Sequence, residues 1–275
     1  MTDRWHLNIV VPMSPTDLPD PLKGVREAED HWVQYLGRAF SDGALGVRGA
    51  ALYSALSSGV DMLAGVAACR FGCRRSDHHM ENVTRRLVNA VLASLRLGRA
   101  GYIDEAAGLV RVVAELSNLC QLFLRDPTML EIWLSLSDKD RWSRFKPVAV
   151  RKHLEASGED PVYTAANYRA LCDVGVHVTP GSAVASHDLE ADRLIVGPSP
   201  PIPGVLFVWT ELAFAISRLL PMYADAGFVP DAHADHCVNL CAALSRAIGG
   251  GEMRVTQYNA SLEWFRNQVR DADLR

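Results

Sequence analysis

The chain has 275 residues, 49% of them hydrophobic, which is typical of a folded protein and too apolar for an intrinsically disordered one. It carries 28 Lys and Arg against 32 Asp and Glu, so the formal net charge of −4 excludes an overall electrostatic attraction to nucleic acid. The N-terminus lacks the charged-then-apolar layout of a signal peptide, and no uninterrupted apolar run reaches the ~18 residues that span a bilayer. We therefore expect a soluble, cytoplasmic protein with no membrane partner.

The first 21 residues are predicted to form an extended arm that precedes a helical domain. Leu7, Ile9 and Val11 alternate with their neighbours, which is the period of an extended segment, and four prolines between positions 12 and 21 then prevent a regular helix. The arm should lie on the surface of a second unit, the helical bundle domain of residues 22–275.

Residues 22–275 show mainly helical periodicity. Apolar residues recur at three- and four-residue steps, and Asp126-Pro127 and Ser137 are helix-start signals. We predict an all-α bundle of roughly seven to nine helices. Among the predicted helical segments are 22–41, 44–71, 127–136, 138–156, 163–177, 204–226 and 256–272. Residues 44–71 contain few charges, which fits a helix buried on most sides or one that pairs two copies in a homodimer.

Residues 178–203 interrupt the helical pattern with a Pro/Gly-rich loop. The segment contains five prolines and two glycines, and only residues 194–196 could form a short extended piece. A loop of this length is uncommon in a compact domain and often carries function.

Arg111 and Glu115 form the first candidate site, with Asn118 on the same helical face. Their spacing places them on one side of a helix whose other residues are mostly apolar. Charged groups in such a setting must pair or face a polar cavity, so an ion pair and an inward-facing polar site are both open.

Tyr168 and His177 define the second candidate site. Asp173 and His177 are four residues apart, so the carboxylate can hydrogen-bond the imidazole and select its tautomer. His177 also falls at the predicted C-terminus of a helix, where the dipole favours the charged imidazolium. These conditions suit acid–base chemistry, and they suit a structural histidine equally well.

The order of these features resembles uncharacterised bacterial helical-bundle families near the HEPN superfamily. The resemblance covers roughly residues 85–220 and is carried by Gly101, Asp104, Glu105, Ala106, Leu109, Arg111, Glu115, Asp126, Pro127, Tyr168, Leu171 and His177. It implies a helical bundle and a link to bacterial stress, defence or toxin–antitoxin systems, in which many HEPN proteins are metal-independent ribonucleases. Those enzymes use an Arg–His pair, and Arg169 and His177 here stand further apart than that pair.

Two groups of histidines mark helix starts, at residues 77–81 and 231–236. Acidic residues are favourable near helix N-termini, so we interpret both groups as solvated helix starts and predict neither a metal nor a cofactor. The chain has no P-loop, no Gly-x-Gly-x-x-Gly after a strand and no Gly-x-Ser-x-Gly elbow.

Three functions remain open. The first is a helical scaffold or interaction protein, favoured because each candidate site has an adequate structural explanation. The second is a HEPN-like ribonuclease or nucleotide-binding protein, with RNA or a nucleotide as partner and Arg111, Glu115, Tyr168 and His177 as catalytic residues. The third is a metal-dependent enzyme built on the histidine-rich helix starts. Whether the chain is an enzyme is left undecided by the sequence.

Overall fold

The computed structural model describes residues 23–41, 46–73, 77–175, 187–188, 193–194, 198 and 202–249. Within these ranges the chain forms ten α-helices, one short 3-10 helix (Asp231–His233) and one antiparallel pair of two-residue strands, β1 (His187–Asp188) and β2 (Arg193–Leu194). The helices are α1 (Lys23–Ser41), α2 (Gly46–Ala67), α3 (His79–Ala100), α4 (Ile103–Arg125), α5 (Pro127–Ser135), α6 (Asp138–Phe145), α7 (Pro147–Ala156), α8 (Ala165–Gly175), α9 (Ile202–Asp225) and α10 (Ala234–Ile248). The predicted all-α, multi-helix bundle is confirmed.

Local signals set several of these helix starts. Asp126 accepts a hydrogen bond from the backbone N–H of Thr128 at 3.0 Å, and Pro127 occupies the first turn of α5. Ser137 accepts from the backbone N–H of Asp140 at 3.2 Å and so caps α6. One predicted element was wrong: residues 138–156 form two helices, because Pro147 cannot continue α6 and begins α7 instead.

Helix α9 lies at the centre of the core. It packs against α2, α3, α4 and α10, and its side chains from Val205 to Tyr223 include many that are fully buried. Trp209 is 0% exposed and its ring lies 4.9 Å from that of Tyr53 on α2. Helix α4 packs on α9 with one side and carries α7 and α8 on another, so it joins the core to the candidate site.

The contact of α2 with α9 requires a glycine at position 59. A Cβ placed there would lie 2.6 Å from Cγ2 of the buried Ile216, whereas a Cβ at Gly98 would meet nothing closer than 3.8 Å. We expect Gly59→Ala to be destabilising, because overpacking costs about 1–3 kcal/mol against a gain of about 1 kcal/mol in helix propensity. Gly98→Ala should be neutral or stabilising. Urea unfolding of both variants measures the contrast, and a Gly59→Ala protein as stable as Gly98→Ala would contradict this packing.

The prediction that the chain has no membrane partner is wrong, judged by the length and composition of its helices. Three helical segments are long and apolar enough to cross a membrane, namely Gly49–Ala67, Ile103–Arg125 and Gly204–Asp225. The sequence criterion required an unbroken apolar run, and isolated polar residues interrupt each segment without lowering its mean hydropathy below the range of a membrane span. Between 50% and 61% of each 18-residue window is buried inside the bundle.

Some predicted features lie outside the described residues. They are the arm of residues 1–21, the last helix over 256–272, most of the loop over 178–203, and His177.

Candidate functional site

Three of the predicted site residues lie in direct contact between α4 and α8. Arg111 and Glu115 form an ion pair on α4 with 2.8 Å between Nη2 and Oε1. The Tyr168 hydroxyl on α8 accepts a hydrogen bond from Arg111 Nε at 2.9 Å and donates one to Glu115 Oε1 at 2.5 Å. Each of the three groups is therefore bonded to the other two, and the site is half-buried.

A fourth member, Arg151 of α7, was missed by the sequence reasoning. Its guanidinium carbon lies 4.5 Å from the centroid of the Tyr168 ring, and that of Arg111 lies 5.5 Å from the same centroid. Arg151 is only 8% exposed, and its buried Nη1 has no hydrogen-bond partner. We call Arg111, Glu115, Arg151 and Tyr168 the arginine–tyrosine cluster.

The sequence pattern of α7 indicates that Arg151 faces the interior. Helix α7 buries Val150 and Leu154, and Arg151 lies between them on the same face by helical spacing. An arginine on the apolar face of a short helix must find a partner for its charge in the interior. That partner cannot be identified from the pattern, because Tyr168 comes from a different helix.

The segment between α7 and α8 is fixed on α4 by two buried side-chain amides. Asn118 donates to the backbone oxygen of Tyr163 at 2.9 Å and accepts from its N–H at 2.8 Å. Gln121 does the same one turn later, with Asp160 as acceptor and the N–H of Val162 as donor, both at 2.9 Å. These paired bonds set the position from which α8 presents Tyr168 to Arg111.

The cluster joins three helices. Helices α7 and α8 both pack on α4, and in the described part of the chain they do not pack closely on each other. Arg151 contacts the Tyr168 ring from α7, while Arg111 and Glu115 hydrogen-bond the Tyr168 hydroxyl from α4. The cluster contains two guanidinium groups and one carboxylate, an excess of positive charge that favours a small anion.

Burial and the hydrogen bond to Glu115 raise the pKa of the Tyr168 hydroxyl from its ordinary value of 10.0 to about 12, although the bond from Arg111 opposes the change. The tyrosine therefore stays protonated at neutral pH and acts as a donor to Glu115. It is too weak an acid to serve as a proton source without a change in its surroundings.

Stability should depend on Tyr168 in alkaline solution. A pKa that is higher in the folded than in the unfolded chain means that the native state holds the proton more tightly, so the stabilisation is complete below pH 10 and is lost as the pH rises through 12. We expect wild type to exceed Tyr168→Phe in unfolding free energy at pH 8, with a difference that shrinks between pH 10 and 12. Urea unfolding across this range measures it, and a difference that stays constant would refute the raised pKa.

The remaining sequence candidates are not brought into this cluster. His177 lies outside the described residues, and Arg169 and Asp173 are exposed on α8. The ring of His233 packs against Phe71 at 5.2 Å between centroids. Among the described residues, His79, His233 and His236 join no group of metal-ligating side chains.

No protein-family model, curated protein or solved structure matches the chain. The resemblance to HEPN-like bundles therefore stays a prediction, and the functional argument depends on the geometry of the cluster.

Proposed function

We propose that the chain binds the phosphate group of a nucleotide or an RNA at the arginine–tyrosine cluster. The observation that carries this proposal is the unpartnered Nη1 of Arg151, a charged donor group that lies against the half-buried ring of Tyr168. A buried donor without an acceptor costs about 1–3 kcal/mol, and structures retain few of them. A ligand oxygen at this position removes that cost.

Phosphate suits the cluster better than a neutral acceptor does. Guanidinium groups bind phosphate oxygens through paired, charge-assisted hydrogen bonds, and the guanidinium of Arg111 lies 5.5 Å from the centroid of the same Tyr168 ring. Glu115 neutralises only one of the two arginines. The remaining positive charge is the attraction that an anion requires.

The segment that contains Arg151 is basic although the chain as a whole is acidic. Residues 138–155, which include α6 and most of α7, carry six Lys or Arg against three Asp or Glu, a net charge of +3. Trp142 in this segment is 71% exposed. Exposed aromatic rings beside cationic side chains stack on bases, so a nucleotide or RNA fits this surface.

The nucleotide or RNA partner predicted from the sequence would bind at the arginine–tyrosine cluster. Hydrolysis of RNA would further require an acid or base beside the bound phosphate, and His177 is the residue that the sequence offers for that role. Binding does not require cleavage, and the residues that we assign to binding all lie in the part of the chain that the structure describes.

Isothermal titration of the full chain with ADP tests the proposal through a matched pair of variants. Arg151→Met removes the buried guanidinium and keeps a similar volume, whereas Lys152→Met removes the same charge from the exposed neighbour on α7. Because a charge-assisted hydrogen bond contributes about 1.5–3 kcal/mol, we expect Arg151→Met to weaken ADP binding roughly 10- to 100-fold. Lys152→Met should change it less than about threefold.

The free energy of unfolding distinguishes a ligand-binding role of Arg151 from a structural role. Arg151→Met removes an unpartnered buried donor and a cation–π contact together, so the unfolding free energy should change by less than about 1 kcal/mol. A variant that loses several kcal/mol and keeps its affinity for ADP would assign Arg151 to packing. Wild-type protein that binds neither ADP nor a short single-stranded RNA would refute the proposed function and favour the scaffold.

A further inference from the structure

A second cluster lies about the junction of α2 and α3. Cys69 and Cys73 follow the end of α2, and His78 directly precedes α3. Their ligand atoms all lie within 4.8 Å of one another, and Cys69 Sγ is 3.3 Å from His78 Nδ1. We propose that Cys69, Cys73 and His78 bind a zinc ion, with a fourth position open to water or a further ligand.

The chemistry of the three donors selects zinc. Two thiolates and an imidazole are the preferred ligands of Zn²⁺, and the sulfur atoms of tetrahedral zinc stand about 3.8 Å apart, from Zn–S bonds of about 2.3 Å. The spacing, with three residues between the cysteines and four before the histidine, falls within the range of known zinc ligand spacings. Cys73 and His78 are exposed, so an ion can reach the group from solvent.

The backbone is bent at two of the three ligands. Cys69 has φ of 54° and His78 has φ of 52°, and they are the non-glycine residues with positive φ among the described residues. This left-handed conformation costs a residue with a side chain roughly 1 kcal/mol or more and collects at functional sites. Its occurrence at both residues turns the two side chains toward each other across the junction.

The turn that carries the cysteines is anchored on α2. Arg70 Nη2 donates to the backbone oxygen of Asp61 at 2.7 Å and to its carboxylate at 2.9 Å. The Phe71 ring covers Gly65 so closely that a Cβ there would lie 2.5 Å from it. Contacts on the residues between the ligands therefore hold the site in place without a metal, which lowers the cost of binding one.

Glu81 supplies an independent polar observation beside the cluster. It lies in the first turn of α3, is 3% exposed, and has one carboxylate oxygen with no hydrogen-bond partner. It lies three residues after His78 and outside the 4.8 Å set of ligand atoms. Metal-bound water commonly donates to such an outer carboxylate, so a water on the open position would supply the missing partner.

Helix α10 contains a built-in control, because Cys237 and Cys241 have the same spacing as Cys69 and Cys73. Both are free thiols on α10, one buried and one half-buried. In the described residues no histidine or carboxylate completes a metal-binding group with them. Any metal signal that arises merely from closely spaced thiols should therefore depend on this pair as well.

The test is a cobalt titration of the reduced full chain, with Co²⁺ as the probe and zinc competition as the second measurement. We expect one equivalent of Co²⁺ to produce the thiolate-to-cobalt charge-transfer band and the strong visible bands of tetrahedral cobalt, and one equivalent of Zn²⁺ to remove both. Cys73→Ser changes an exposed residue and so should fold, and His78→Asn keeps a side chain that tolerates positive φ.

Both variants should lose metal affinity by more than the roughly 10- to 100-fold that loss of an outer partner causes. The Cys237→Ser, Cys241→Ser double variant should bind as wild type does. Fully reduced protein without these bands, or bands of equal strength in Cys73→Ser, would overturn the zinc site.

Discussion

Replacement of Asn118 by leucine is expected to lower the free energy of unfolding by about 3 kcal/mol. The amide makes two hydrogen bonds to the backbone of Tyr163, and all of these groups are buried. Leucine has a similar size and can make neither bond, so one N–H and one C=O of the backbone would be left without partners. Each unsatisfied buried group costs about 1–3 kcal/mol.

The same substitution should also weaken ADP binding, because Asn118 holds the backbone of Tyr163, which precedes α8 and Tyr168, on α4. We expect binding to fall by about tenfold at a temperature where the variant is still folded. Asn89→Leu is the matched control, since Asn89 is exposed on α3 and its loss should change stability by less than about 0.5 kcal/mol. Equal effects of the two changes in urea unfolding would contradict the role of the paired amide bonds.

Trp209→Ala should have the largest effect of any single substitution proposed for this chain, a loss of about 3–5 kcal/mol. The side chain is fully buried on α9, and it packs on Tyr53 where α9 meets α2. Removal of the indole leaves a cavity that the surrounding helices fill only in part.

Trp142→Ala removes the same group from an exposed position on α6 and should cost less than about 0.5 kcal/mol. Thermal or urea unfolding of the two variants tests whether α9 forms the centre of the core. A loss at Trp209 no greater than the loss at Trp142 would place the centre of the bundle elsewhere.

Helical periodicity and cap signals predicted most of the bundle, because both are local properties of the chain. The start of α5 at Asp126-Pro127 and that of α6 at Ser137 are examples. The errors concern the positions at which helices end. The predicted helix 138–156 included Pro147, which breaks it, and the predicted helix 44–71 included Cys69, which lies in the turn after the end of α2.

Three of the four residues of the arginine–tyrosine cluster, Arg111, Glu115 and Tyr168, were predicted from the sequence as site residues. Arg111 and Glu115 are one helical turn apart, so their pairing follows from helix geometry alone. Their contact with Tyr168 depends on how α8 packs on α4, and the stacking of Arg151 depends on α7 as well. Such contacts between distant segments follow from tertiary packing, which no periodic pattern in one segment reveals.

The most direct measurement of phosphate binding is the NMR signal of the arginine side chains during a titration with ADP. The Nε–H resonance of Arg151 is assigned by its absence from the spectrum of Arg151→Lys. Its chemical shift should change with ADP concentration until it saturates, and the fitted dissociation constant should equal the one found by calorimetry. The resonance of Arg111 should follow it, because both guanidinium groups contact the Tyr168 ring. An Arg151 resonance that does not move while ADP binds, with shifts confined to exposed arginines, would contradict a phosphate site at this cluster.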